Sequence, residues 1–187
     1  MTTYNLIQPP FSLRFDEMSK TELVSYNTWF HRILPERTLE LTNAIRSTDQ
    51  YTHWTATFTP DSLRVSGEWF EGQVGTRPRT SEEASSIKPI FRTDPSTDTE
   101  LDNRTFSLAV DIGMYFGQVV LLNIPGTSWA QPLNNKKFAD YGQPVIMGFG
   151  TIPLNPIRVI IMTAYAISRG KRANLNGLFD TWAKLKK

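Results

Sequence analysis

The sequence predicts an α+β fold, a single domain spanning 1–187 with five to six helices packed on a small sheet and a central apolar helix near 104–123. Three observations predict it. The stretch Phe106 to Ile124 carries one charge, Asp111, so as a helix it is apolar nearly all round and belongs in a core. Segments of helical period, each with its own start signal, lie before and after it. Between them run short alternating or apolar stretches of strand length. At 187 residues the chain is long enough to bury one sizeable core.

Ser19-Lys20-Thr21-Glu22 is a capping box, and Met18 with Leu23 supplies the matching hydrophobic staple. Leu23, Tyr26, Phe30 and Ile33 then share a face. Pro35 suits the first turn of a second helix, which runs through Leu39 and Ile45 with Glu36 and Glu40 outward. Tyr51 to Phe58 alternates and is rich in Thr and aromatics, the pattern of a strand. Thr59-Pro60-Asp61 opens a helix expected to reach Val74, with Leu63 and Phe70 inward and a strand around Val65–Gly67 as the alternative.

Residues 75–103 read as a polar, mobile surface excursion within the domain, interrupted by Pro78, Pro89 and Pro95. They are expected to hold a short helix at Ser81–Ser85 and a strand near Ile87–Arg92. After the central helix and Pro125-Gly126, strands are expected over Thr127–Leu133 and Val145–Phe149. Asn155-Pro156 caps a strongly apolar helix reaching Ser168, with Gly170 at its C-terminal turn. A last amphipathic helix spans Leu175–Leu185.

Composition excludes several chemistries. The chain has no cysteine, hence no disulfide, thiolate metal site or cysteine nucleophile. Its two histidines, His31 and His53, lack a metal-ligand spacing, so no metal and no cofactor are expected. No G-x-S-x-G occurs, and Gly148-Phe149-Gly150 has neither the lysine of a P-loop nor a dinucleotide register; it serves a tight turn. Six bases and one acid follow Ser168, so the net +2 of the chain leaves −3 for the first 168 residues. The basic tail is better read as helix-end cations than as a nucleic-acid site. Neither apolar stretch is a convincing membrane span, and no signal peptide is evident, so the expected location is cytoplasmic.

Two constellations remain. Asp111 and Arg158 are the lone charges of the two most apolar segments, and a buried charge needs a partner, so they are expected to form a buried polar pair. Asp140, Tyr141 and Gln143 gather an acid, a phenol and an amide on one loop, a candidate site. Ala109, Gly113 and Gly117 make a stripe of small residues that invites close approach of the Ile157–Ser168 helix. Trp29, Trp54, Trp69 and Trp129 are the aromatic candidates for partner contact, most of them expected in the core.

Ser19-x-x-Glu22-Leu23, Trp29-Phe30, Ile33-Leu34-Pro35-Glu36-Arg37, Thr59-Pro60-Asp61-Ser62-Leu63, Leu108-Ala109-Val110-Asp111-Ile112-Gly113, Tyr115-Phe116-Gly117, Tyr141-Gly142-Gln143-Pro144-Val145 and Leu154-Asn155-Pro156 occur together. In this combination the chain resembles small uncharacterised bacterial proteins of the polymorphic-toxin immunity type. The resemblance brings no catalytic residue. It implies a cytosolic binding protein whose partner is another protein, a toxin that it occludes, with the aromatics and charges of Gly75–Asn103 as contacts. The alternative is a hydrolase or transferase with a pocket around Asp111, Tyr141 and Arg158. A nucleic-acid binder using the basic C-terminus is a third reading.

Overall fold

A computed structural model describes residues 4–86 and 98–186. Helix α1 (Lys20–Arg46) opens on the expected capping box. The Glu22 amide donates to Ser19 Oγ at 3.3 Å and the Ser19 amide to Glu22 Oε2 at 2.8 Å. The second helix expected at Pro35 does not exist as a separate element: α1 continues through the proline. A proline inside a helix costs about 3 kcal/mol. Here the helix is held on both sides of it by buried Phe30, Ile33, Leu34 and Leu41.

The strand expected over Tyr51–Phe58 is also absent. A single 3-10 turn (Asp49–Tyr51) is followed by irregular chain, and Phe58 takes a positive φ of 55°. These aromatics serve packing rather than pairing. Trp54 and Phe58 stack on the ring of Tyr115, whose hydroxyl accepts from the Phe58 amide and bonds the Ser62 hydroxyl.

Helix α2 (Pro60–Glu71) starts where the sequence places it and stops at Gly72, short of Val74. Strand β1 (Thr76–Pro78), helix α3 (Ser81–Ser86) and strand β2 (Thr99–Leu101) follow, with β1 and β2 antiparallel. The short helix is as expected, while the strand expected near 87–92 lies outside the described residues. The flanks of this polar segment are tied to the body. Leu101 is fully buried in the main core, and Glu100, which pairs with Arg79 across the ribbon at 2.5 Å, accepts from the Tyr165 hydroxyl.

Helix α4 (Asn103–Asn123) is the central apolar helix, capped by the Asp102 carboxylate on the Thr105 amide. By length and composition it would suffice to cross a membrane, but most of it is buried inside the protein. Its surroundings are the other helices. Strands β3 (Ser128–Ala130) and β4 (Val145–Met147) form a second antiparallel pair, so the strand content falls in two separate ribbons rather than one sheet. Gly148 (φ 122°) and Gly150 (φ 79°) make the turn after β4. Helix α5 (Pro156–Ser168) and helix α6 (Leu175–Leu185) complete the chain, and Gly170 (φ 81°) follows the end of α5.

The small stripe of α4 does meet α5, with Gly113 at that helix's first turn. A Cβ on Gly113 would lie 2.7 Å from the Ile157 Cα. Gly117 instead makes room for the Trp129 ring, 2.8 Å from where its Cβ would stand. One continuous core joins residues of α1, α2, α4, α5 and α6.

Candidate functional site

The expected pairing of Asp111 with Arg158 does not occur; each charge has found another partner. Asp111 is fully buried and bonded to Arg37, which donates Nε to Oδ1 at 2.8 Å and a terminal nitrogen to Oδ2 at 2.7 Å. The Tyr4 hydroxyl donates to the same Oδ2 at 2.5 Å. Ser107, one turn earlier on α4, bonds the Tyr4 hydroxyl at 2.8 Å and accepts the Ile7 amide at 2.7 Å. Arg37 also reaches the Asn5 carbonyl at 2.9 Å, and Glu40 takes the Asn5 amide at 2.7 Å.

Burial raises the Asp111 carboxyl above its ordinary range, against the lowering effect of the bonds from Arg37 and Tyr4. Burial works against the Arg37 charge, but the Asp111 bonds outweigh it and raise its pKa. Both carboxylate oxygens are engaged by donors, which leaves Asp111 a structural anion. Its cluster fastens the irregular N-terminal strap, residues 4–15, across α1 and α4.

Arg158 joins the loop site instead, merging half of one constellation with the other. It donates to Asp140 Oδ1 at 2.7 Å. The Asn155 amide, which is 5% exposed, donates to both Asp140 Oδ1 and Gln143 Oε1 at 2.8 Å. The Asn155 oxygen caps α5 by accepting the Arg158 amide at 3.0 Å. The loop carboxylate therefore anchors the start of α5. Tyr141 takes no part in this cluster; it is buried with Met18, Leu23 and Tyr26.

The arrangement follows from local sequence. Asn155-Pro156 starts α5 at a fixed point, and the first turn then projects Arg158 back over the 140–143 loop. Arg37 falls in phase with the buried stripe of α1 once the helix passes Pro35, since Ile33 and Leu41 lie four residues to either side. That phase is the signal that could have found it. Tyr4 and Ser107 carried no such signal.

A cavity of about 540 Å³ lies between the strap, α1, α4 and α5. Tyr26 and Trp29 of α1, Phe106 and Val110 of α4, and Ile157 and Ile161 of α5 line it, and Ser107 and Gln143 bring it to the edge of both polar clusters. Asp111, Tyr141 and Arg158 are not among its lining residues. Among the described residues no group of three or more His, Asp or Glu is placed to hold a metal ion. His31 is half-buried between Phe30 and Trp129, and burial pushes its pKa down; His53 is exposed. Two of the basic-tail cations are used internally: Arg172 pairs with Glu71 at 3.4 Å, and Lys186 donates to the Gly126 carbonyl at 2.9 Å.

Fold and site thus define an α+β helical domain with a buried ion pair beside an apolar cavity. No known protein family, curated protein or solved structure matches the chain.

Proposed function

We propose that the protein is a cytoplasmic binding protein, and specifically an immunity protein that neutralises a cognate bacterial toxin by occluding it. One observation carries the binding reading. Helix α5 is apolar on nearly every side, the composition of a helix enclosed by protein. Yet only Pro156, Ile160 and Ala164 are buried. Val159, Thr163 and Ala166 are half-covered, and Met162 is 60% exposed. Ile152, just before the helix, is 65% exposed. A partner laid over this face would complete the enclosure, with Arg158 at its edge. The toxin as partner rests on the sequence resemblance.

The charges of the 75–103 segment are weaker candidates for contact than the sequence suggests. Arg77 pairs with Glu83 and Arg79 with Glu100, so four of them are engaged with one another. The enzyme alternative receives no support from the geometry, because Asp111, Tyr141 and Arg158 sit in three different settings.

The test is capture of the intact chain from its cell of origin, run beside a Val159→Glu/Met162→Glu variant of unchanged circular dichroism. The expected result is one stoichiometric polypeptide that the variant loses and that arrests growth when expressed without this protein. Capture of the same polypeptide by the variant would remove α5 as the contact face. A partner harmless on its own would remove the immunity reading.

A further inference from the structure

We propose that the cavity between the N-terminal strap and helices α1, α4 and α5 is a binding site for an uncharged, mostly apolar small molecule bearing one hydrogen-bonding oxygen, which Tyr26 holds. Its volume of about 540 Å³ is that of a small-molecule pocket. The wall is mostly aromatic and aliphatic, and among the described residues no charged side chain belongs to it. The buried charges behind its wall are already bonded, Arg37 with Asp111 behind Ser107 and Asp140 with Arg158 behind Asn155. A carboxylate or ammonium entering here would shed its hydration and meet no counter-charge. Neutral ligands are therefore selected.

Tyr26 supplies the polar contact. It is 7% exposed and lines the cavity. Its ring is fixed by edge contacts from Phe11 and Phe15. Its hydroxyl has no hydrogen-bond partner among the described residues, and it is not sealed off from open space either. A phenol so placed among apolar neighbours lacks a bond that a ligand oxygen would supply. Of the other polar groups at the wall, Ser107 is bonded to Tyr4 and Ile7, and Gln143 and Asn155 to each other, while Gln8 and Asn103 are exposed and face water.

The occupant is not the partner proposed for the outer face of α5. Ile157 and Ile161 point to the cavity, whereas Val159, Met162 and Ala166 border a separate shallow depression. The two sites can fail independently.

The experiment uses the full chain with Nile red, a neutral dye that brightens on leaving water, displaced by 1-decanol, by decane or by decanoate at pH 8. Decanol is expected to displace the dye at about tenfold lower concentration than decanoate. Tyr26→Phe should weaken decanol about five- to tenfold while leaving decane unchanged. Val110→Trp should fill the space and abolish dye binding. If Val110→Trp does not fold, Tyr26→Phe, which removes a single oxygen, carries the test alone. Absence of dye binding, equal displacement by decanoate, or a Tyr26→Phe variant that treats decanol as the wild type does would overturn the proposal. So would binding that appears only after deletion of residues 1–3, since the cavity would then belong to the chain's own N-terminus.

Discussion

Arg37 is the residue on which the charge inside α4 depends. With 7% of its side chain exposed against none for Asp111, the pair lies out of water, where removing one partner leaves an uncompensated charge. Arg37→Met is expected to lower stability by about 3–5 kcal/mol in chemical denaturation. Arg37→Met with Asp111→Leu should cost clearly less than the sum of the two singles. Asp111→Leu with Arg158→Met should be additive within about 0.5 kcal/mol, because those residues share no bond. Additivity in the first pair would contradict the geometry. That Asp111 required a cation was legible from its apolar neighbours. Which cation was not, because Arg37 sits in the polar run Pro35-Glu36-Arg37, 74 positions away, and looks like a solvent-facing residue unless the helix is carried through the proline.

At the scale of elements, Pro35 is the clearest departure from local preference. It is exposed, so its ring contributes little burial to offset the missing amide. Pro35→Ala is expected to raise stability by about 1–3 kcal/mol, read as a higher thermal midpoint. The β1–α3 segment is governed by charge instead. Bonds from Arg77, with help from the Thr80 amide, hold the Glu83 carboxyl down to about 2. A depressed carboxyl contributes its stabilisation above the unfolded value of 4.5, and that contribution is lost as pH falls toward about 2. The protection of residues 76–86 from hydrogen exchange, taken relative to the intrinsic rate at each pH, should therefore fall over this window. The effect should shrink in high salt, because Arg77 and Glu83 are each about one-third exposed.

Helix starts were legible where a capping residue marks them, as at Ser19, Thr59 and Asn155, whereas Pro35 marks a start that does not exist. Residues 51–58 were misread because β-favouring composition describes a half-buried surface as well as a strand, and here Tyr115 offers that surface. Strands β3 and β4 fall inside the stretches expected as strands, whereas β1 and β2, three residues each, were too short for periodicity to reveal.

For the molecule as a whole, one core runs through five of the six helices among the described residues, from Leu41 to Phe179. Unfolding is expected to be a single transition, with tryptophan fluorescence and far-ultraviolet circular dichroism giving the same midpoint. A separate early fluorescence change would show that the smaller cluster of Met18, Leu23, Tyr26 and Tyr141 opens on its own. The α+β class and central helix were readable because they depend on summed pattern. The cavity was not, because it arises from the strap, a loop and three helices that approach from distant parts of the chain.

The clasp of Tyr4, Arg37, Ser107 and Asp111 also sets an order of events at the ribosome. Arg37 leaves the exit tunnel 74 residues before the carboxylate that neutralises it. At about 5–20 residues per second, that is a wait of roughly 4 to 15 seconds. Tyr4 waits longer, across 107 residues, and the walls supplied by Ile157 and Ile161 emerge later still. Through that interval the N-terminal strap has nothing to fasten to, and α4 emerges without the helix that covers it. The nascent chain is therefore most exposed to chaperones and proteases just before its last helices are made.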